Sequence, residues 1–161
     1  MEEKIIIRKA KIEDFQRVHE LAMQVHKLHV KERGDIYKDA DPLKFEEFIE
    51  DLSNESNIYL VAELENKIIG ICFSHIKEMT EKSIMKARRI LYIDDLCIDE
   101  TMQRKGIGRK MYNQIVQVAK KRNVDSVELL VWGFNKKAIN FYKNMGMNVK
   151  NIRFEQRIER T

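Results

Sequence analysis

A turn that could bind a phosphate group is found in the hexapeptide Gln103-Arg104-Lys105-Gly106-Ile107-Gly108. Two glycines spaced by two allow a tight turn and a close approach of the backbone to a ligand. The helical run that follows would point its first N–H groups and the positive end of its dipole at an anion. Four basic side chains lie around the same point: Arg104, Lys105, Arg109 and Lys110. The pattern predicts a phosphate cradle, although an ordinary strand–turn–helix junction could use the same glycines.

Two adjacent carboxylates, Asp94 and Asp95, interrupt an apolar strand-like run just before this hexapeptide. A carboxylate whose pKa is raised can accept a proton from a reacting group. Neighbouring side chains of a strand point to opposite faces, so we expect only one of the two to reach a substrate unless a β-bulge re-aims them. The alternative is a pair of edge or loop acids that are neutralised by lysines.

Composition narrows the class of protein. A chain of 161 residues with 43% hydrophobic and 35% charged residues predicts a single globular domain, residues 1–161. The formal charge of +4 is a mild excess on a mixed surface, which suits a small anionic ligand and argues against nucleic acid. The hexapeptide lacks both the dinucleotide fingerprint and the P-loop pattern. No apolar run has the length of a membrane span or a signal core, which predicts a cytoplasmic protein without a membrane partner.

Cysteine and histidine positions predict neither a disulfide framework nor a metal site. Cys72 and Cys97 lie inside apolar strand-like runs, which is typical of buried free thiols. His26 and His29 are three apart on a predicted helix and could share a metal, but no third ligand is placed by the sequence. Partly exposed helix histidines are the favoured interpretation.

Hydrophobic periodicity predicts the elements that position these residues. The predicted helices are Lys11–Arg33, Leu43–Leu52, Gly106–Arg122 and one from an N-cap at Asn135 to Met145. The predicted strands are Ile5–Ile7, Ile58–Leu64, Lys67–Ile76, Arg89–Asp99, Ser126–Trp132 and one or two within Met147–Ile158. The predicted loops are Asp35–Asp41 and Lys77–Arg88. A hairpin followed by a strand–helix–strand unit indicates a mixed sheet in an α/β fold.

Two separated motifs make the chain resemble the GCN5-related N-acetyltransferases (GNAT), which move an acetyl group from acetyl-CoA to an amine. The hexapeptide fits that family's (Gln/Arg)-x-x-Gly-x-(Gly/Ala) pyrophosphate loop. The second motif is an Asn, a Phe-Tyr pair and a Gly at set spacing, formed here by Asn135, Ala138, Phe141, Tyr142 and Gly146. The resemblance implies a mixed, mostly antiparallel sheet with a parallel β-α-β centre and helices on both faces. Adjacent acids in Leu91–Leu96 look most like the diamine and glucosamine-phosphate acetyltransferases.

The resemblance implies acetyl-CoA as cosubstrate and assigns residues to it. Backbone N–H groups from Gln103 to Gly108 would hold the pyrophosphate, with Arg109 adding charge. The pantetheine would pair with the backbone near three strand residues: Leu96, Cys97 and Ile98. Asn135 is implied as a further cofactor contact, and a plain helix N-cap is the alternative.

The resemblance also implies how two protons are handled. An alkyl amine with a pKa of about 10.4 is mostly charged at neutral pH and must lose a proton before it attacks. Asp94 is favoured as the base, directly or through a water, because it matches the acidic position given that role in the diamine relatives. Asp95 would order the strand or contact the substrate. Tyr142 would protonate the departing CoA thiolate.

The acceptor is expected to be a cationic amine, and the sequence does not identify it further. Tyr37, Asp39 and Asp41 lie where the family's acceptor-binding loop falls, and their acidity favours a cationic small-molecule or peptide amine. Trp132 is either core or a wall of the acceptor pocket. A homodimer is expected because the ends of such sheets often pair. The alternative function is a catalytically silent acyl-CoA-binding or sensing domain, against which the presence of both Asp94 and Tyr142 argues.

Overall fold

The computed structural model describes residues 4–160, and the chain divides after Leu130 into two compact units. The first unit contains the sheet with its helices. The second unit contains a helix and the C-terminal segment. That residues 1–161 act as one domain stays a prediction.

The elements follow one another in nearly the predicted order. The helices are α1 (Phe15–Glu32), α2 (Phe45–Ser53), α3 (Ile107–Lys121) and, in the second unit, α4 (Lys136–Asn144). The strands are β1 (Ile6–Lys9), β2 (Asn57–Leu64), β3 (Lys67–Met79), β4 (Arg88–Ile98) and β5 (Ser126–Leu129). Short 3₁₀ turns lie at Ile12–Asp14 and Glu100–Met102.

The five strands form one mixed sheet in the order β1-β2-β3-β4-β5. The first four strands pair antiparallel, and β5 pairs parallel to β4 after the α3 crossover. This confirms the predicted mixed, mostly antiparallel sheet with a parallel β-α-β centre.

Helices cover both faces of the sheet, as predicted. Val18 and Leu21 of α1 and Phe48 of α2 are fully buried in a cluster with Ile71 and Phe73 of β3. These two β3 residues are two apart and share a face, since side chains alternate along a strand. The opposite face of β3 meets α3, whose Met111 is buried against it. The helices α1, α2 and α3 therefore bury apolar side chains on the sheet, and the strands between them have nearly continuous hydrophobic sequences.

Gly70 on β3 marks a close approach between the sheet and α3. A Cβ at this position would lie 2.8 Å from Cδ1 of Ile98 and 3.0 Å from Sδ of Met111. Overpacking a filled core ordinarily costs about 1–3 kcal/mol. We therefore expect Gly70→Val to lower the free energy of unfolding by about that amount, measured by urea denaturation. Gly133→Val is the control, because a Cβ there meets nothing within 4 Å. An unchanged urea midpoint in Gly70→Val would contradict the expected overpacking.

The hairpin between β3 and β4 is longer than its sequence indicates. The predicted loop Lys77–Arg88 is wrong at both ends, because Lys77 pairs with Ile90 and Met79 pairs with Arg88. Charged residues in this region lack the apolar pattern from which a strand is predicted. Their backbone groups can still form the hydrogen bonds of the ladder, whatever the side chain. The predicted strand Ser126–Trp132 similarly ends at Leu129.

The predicted strands within Met147–Ile158 are wrong, because this segment has no regular secondary structure. Its apolar side chains are exposed, with Ile152 at 70% and Phe154 at 90%. Alternating apolar residues favour a strand only where they pack on a pleated, half-buried surface, and from Val149 onward the apolar side chains of this segment are exposed.

Among the described residues, no helix combines the length and apolar character needed to cross a bilayer.

Candidate active site

An open strand edge lies beside the two acids. β4 pairs with β5 only from Ile90 to Ile93, within the described part of the chain, whereas its pairing with β3 continues to Ile98. The stretch from Asp94 to Ile98 is therefore bordered by a strand on one side. It includes the three residues predicted to pair with pantetheine, and a strand edge without a neighbouring strand is a template for an extended, amide-bearing ligand. The Ile98 carbonyl on this stretch already accepts hydrogen bonds from the Gln24 and Gln103 side chains.

A β-bulge re-aims the acidic pair. Phe73 of β3 lies opposite Asp95, and the next residue, Ser74, lies opposite Ile93. Asp94 is thus the extra residue of β4. Bulges bend the strand, increase its twist and commonly lie next to active sites. The sequence allowed for a β-bulge at the two acids, and the structure has one. Side chains therefore do not simply alternate between the two faces at this point of β4.

The two acids have different electrostatic surroundings. Asp95 is partly buried, and this burial, together with the neighbouring charge of Asp94, raises the pKa of Asp95 to about 6. Asp94 is more exposed, and its Oδ2 lies 2.8 Å from Nδ1 of His75. A carboxyl group with a raised pKa and a hydrogen-bonded carboxylate thus stand side by side, the kind of perturbation that clusters at functional sites.

His75 was not among the residues that the sequence pattern indicated. It lies on β3 directly opposite Tyr92 of β4, with ring centroids 5.6 Å apart. A histidine within an apolar strand was the available signal, but its acidic partner is 19 residues away across a bulged ladder. Pairing of these two side chains depends on strand register, which the sequence does not reveal.

The hexapeptide that was predicted to bind phosphate makes the tight turn that its glycines indicated. Gly106 is the N-cap of α3 with φ of +79°, in the left-handed region that favours glycine. Ile107 is buried at the first turn of α3 and anchors the helix to the core. Arg104, Lys105 and Arg109 are exposed. The N-terminus of α3 and three cations therefore surround one turn, an arrangement suited to an anion.

Two polar residues of α1 fix the chain between β4 and the hexapeptide. The Gln24 amide donates to the Ile98 carbonyl at 2.9 Å and accepts from the Glu100 N–H at 3.2 Å. Arg17 donates to the Ile68 carbonyl and forms an ion pair with Asp99. Although burial alone would raise the pKa of Asp99, hydrogen bonds from Thr101 and the charge of Arg17 lower it below its ordinary value. The route from strand to turn is thus held by charge-assisted bonds.

Tyr37 lies in the loop between α1 and α2, which is the loop predicted for Asp35–Asp41. Its ring stacks on His29 of α1 at 4.9 Å and meets His26 edge-on at 6.2 Å. Nε2 of His26 also lies 2.9 Å from the Lys38 carbonyl oxygen. The two helix histidines are therefore packed against the loop that contains Tyr37.

The second unit contains the second motif. The Asn135 side chain accepts a hydrogen bond from the Ala138 N–H at 3.1 Å and caps α4, so the N-cap interpretation is confirmed. Tyr142 lies on the same helix with its ring 5.1 Å from Phe141. Trp132 stacks with Phe134 before α4 begins, with centroids 6.3 Å apart.

A family comparison decides the class of protein. The model of the Acetyltransferase (GNAT) family matches residues 17–147, which include the acidic pair, the hexapeptide and the α4 motif. The chain belongs to this family. Membership of this family agrees with the observed fold. It also supports N-acetyltransferase as the general class of the protein.

Relatives of this GNAT protein support the same assignment. The crystal structure of a point mutant of the BH1408 protein from Bacillus halodurans has a TM-score of 0.92 and 36% identity, over 96% of this chain and 99% of that one. The uncharacterized N-acetyltransferase MJ1207 of Methanocaldococcus jannaschii is 28% identical over 63% of this chain and 43% of its own length. The L-ornithine N5-acetyltransferase NATA1 of Arabidopsis thaliana is 38% identical over 39% of this chain and 28% of its own length. This chain therefore spans less than half of the length of each of these two curated relatives.

Proposed function

We propose that this protein transfers an acetyl group from acetyl-CoA directly to a primary amine of a small molecule or peptide. The observation that carries the proposal is the bulge at Asp94, which places an acidic pair at the open edge of β4, ahead of the left-handed turn at Gly106. The strand β4 would then bring together three things: the thioester of acetyl-CoA, the backbone edge that pairs with its pantetheine, and a proton acceptor.

The cofactor would be bound along β4 and the turn that follows it. Backbone N–H groups from Gln103 to Gly108 would hold the pyrophosphate, with exposed Arg104, Lys105 and Arg109 contributing positive charge. The pantetheine amides would pair with the open edge at Leu96, Cys97 and Ile98. Asn135 would add a contact besides its capping bond. CoA supplies an activated acetyl group, and the protein supplies binding, orientation and proton transfer.

Direct transfer is favoured over an acetyl-cysteine intermediate by the state of the thiols. Both described cysteines are buried. Burial, together with the charge of Asp95, raises the pKa of Cys97 to about 12, and burial likewise raises the pKa of Cys72. The thiolate is the nucleophilic form of cysteine, so neither side chain is prepared to attack a thioester at neutral pH.

The acidic pair would handle the proton of the amine. Deprotonating an ammonium group with a pKa near 10.4 costs about 4–5 kcal/mol at pH 7. Negative charge at Asp94 and Asp95 would attract the cation, and the ammonium group would lose its proton beside Asp94, to this carboxylate, to a water or to a base that Asp94 orients. The freed lone pair then forms the C–N bond, the C–S bond breaks with its electron pair on sulfur, and the thiolate takes a proton from Tyr142. The nitrogen releases its second proton to solvent as the amide forms, and Tyr142 regains a proton from solvent.

The acceptor would be a cationic amine. The loop that contains Tyr37 also has acids at Asp35, Asp39 and Asp41, and Trp132 would add an aromatic wall. The match to an L-ornithine N5-acetyltransferase is consistent with an amine of this charge.

Tyr142→Phe tests the proton donor. Removing only the hydroxyl should lower kcat by about 10–100-fold, because general acid catalysis contributes on that order or more. The dissociation constant of acetyl-CoA should stay within about twofold of wild type, since the ring remains. Steady-state kinetics together with calorimetric titration separate the two effects, and an unchanged kcat would remove Tyr142 from the mechanism.

The function itself is tested by binding and then by turnover. Calorimetric titration with acetyl-CoA, CoA and NADH should show micromolar binding of the two CoA compounds alone. A panel of polyamines, amino sugars, aminoglycosides, basic amino acids and peptide N-termini, with detection of released thiol, should then reveal the acceptor. Binding without thiol release would favour a silent acyl-CoA sensor. Absence of CoA binding would contradict both functions.

A further inference from the structure

We propose that the imidazole of His75 is the general base of acetyl transfer and that Asp94 is the residue that positions it. The proposal rests on the acetyltransferase function proposed above and names the group that takes the proton of the amine.

The hydrogen bond between the two side chains sets the roles of the imidazole nitrogens. Nδ1 of His75 lies 2.8 Å from Oδ2 of Asp94. A carboxylate accepts but does not donate, so neutral His75 must carry its proton on Nδ1 to make this bond. Nε2 is then the nitrogen with a lone pair. In Ser-His-Asp hydrolases a carboxylate orients the histidine base in the same way. It fixes the tautomer of the imidazole and stabilises the imidazolium.

The position of the pair fits a substrate-facing base. The bulge brings Asp94 beside His75 at the point where β4 parts from β5. The side chains of His75 and Asp94 are 34% and 40% exposed, respectively, so an incoming amine and bulk water can both reach them. The proton can therefore enter from the ammonium group and leave to solvent without crossing the core.

The chemistry also favours imidazole over an ordinary carboxylate. A carboxylate with a pKa near 4 is a weak base toward an ammonium group with a pKa near 10.4. Imidazole changes charge between pH 5 and 8, closer to the working pH at which proton transfer is most effective. In the proposed step, Nε2 accepts one proton from the ammonium nitrogen and so frees the lone pair that forms the C–N bond, and the imidazolium then releases this proton to water. The nitrogen loses its second proton as the amide forms, which offsets the proton that the departing thiolate gains.

A titratable group near His75 could produce the same pH dependence as the imidazole, so these neighbours determine which control variant is needed. The titratable side chains nearest to His75 in the ladder are Lys77 on β3 and Tyr92, Asp94 and Asp95 on β4. Tyr59 on β2 stacks on Phe73, and its hydroxyl donates to Asp51 of α2. Burial raises the pKa of both tyrosines, so their phenols stay neutral from pH 5 to 8. Asp95, with a pKa of about 6, is the neighbour that would titrate in the same range as an imidazole.

Kinetics of four variants test the assignment. His75→Gln should lower kcat by about 100-fold or more and should abolish the rise of kcat/KM between pH 5 and 8. Its dissociation constant for acetyl-CoA should stay within about twofold of wild type. Asp94→Asn should lower kcat by about tenfold, because the base is retained but not oriented. Asp95→Asn should keep the pH-dependent rise, which separates His75 from Asp95. Lys77→Gln, an exposed polar change on the same strand, should behave as wild type.

A spectroscopic readout tests the pair without turnover. Long-range ¹H–¹⁵N NMR spectra should show neutral His75 with its proton on Nδ1 in the wild type, and a loss of that preference in Asp94→Asn. A proton on Nε2 in the wild type would overturn the proposal, as would an active His75→Gln with an unchanged pH profile. If wild-type protein binds acetyl-CoA but acetylates no amine, the proposed function fails and the role of His75 fails with it. A fully active His75→Gln overturns only the role of His75.

Discussion

Asp95→Asn should make the protein more stable at pH 7 while making it a poorer acetyltransferase. Burial first, and the charge of Asp94 second, raise the pKa of Asp95 from 3.8 to about 6. At pH 7 the folded protein therefore holds an ionised carboxylate in surroundings that favour its neutral form. Asparagine removes that charge with little change in volume, and the expected gain is about 1–3 kcal/mol in the free energy of unfolding.

The gain should depend on pH in a defined direction. Because the pKa of Asp95 is higher in the folded than in the unfolded chain, the folded state binds more protons between pH 4 and 6. The contribution of Asp95 to wild-type stability therefore falls as pH rises through this window. The difference between Asp95→Asn and wild type should be near zero below pH 4, grow up to pH 6 and stay constant above it.

Urea denaturation at pH 4, 5, 6 and 7 measures this difference directly. Asp94→Asn is the matched control and should show a smaller gain, since its charge is only the second cause of the shift at Asp95. A loss of stability in Asp95→Asn at pH 7 would show that the carboxylate is stabilised by the fold. With a cationic acceptor, the KM of the same variant should rise, because one of two attracting charges is gone. Active sites commonly keep a charge that lowers stability because the charge is needed for activity.

Local features of this chain were predictable from the sequence because their cause is local. The glycine spacing at Gly106 encodes a left-handed turn, and α3 begins at the next residue. The Asn135 cap and its bond to the Ala138 N–H are likewise contained within four residues. Hairpin and crossover signals together gave the mixed sheet, since few topologies accommodate both.

The central features of the candidate site were not predictable, because they depend on strand register. The bulge at Asp94 and the contact of this residue with His75 require β3 and β4 to be aligned residue by residue. Polar positions on α1 were misleading in the same way. Arg17 and Gln24 look like a solvated helix face in the sequence, yet both hold the chain that leads to the hexapeptide. The C-terminal segment shows the converse error, in which an alternating pattern is present without a surface to receive it.

Gly106→Val should weaken acetyl-CoA binding by about tenfold or more and lower the free energy of unfolding by about 1–2 kcal/mol. The left-handed conformation at φ +79° is unfavourable for a β-branched residue, whereas a Cβ at this position would meet nothing within 4 Å. The penalty therefore arises from the backbone and not from a clash. Relief of this strain would turn the first N–H groups of α3 away from the pyrophosphate, so stability and affinity should fall together.

Two further variants separate backbone strain from simple loss of a glycine. Gly106→Asn should be affected least, because asparagine tolerates the left-handed region better than other side chains with a Cβ. Gly133→Val places the same side chain in open space, at a glycine outside the left-handed region, and should change stability little. Calorimetric titration with acetyl-CoA and urea denaturation together distinguish the two interpretations of the hexapeptide. If Gly106→Val is destabilised but binds acetyl-CoA as tightly as wild type, the turn is an ordinary strand–helix junction and the phosphate cradle must lie elsewhere.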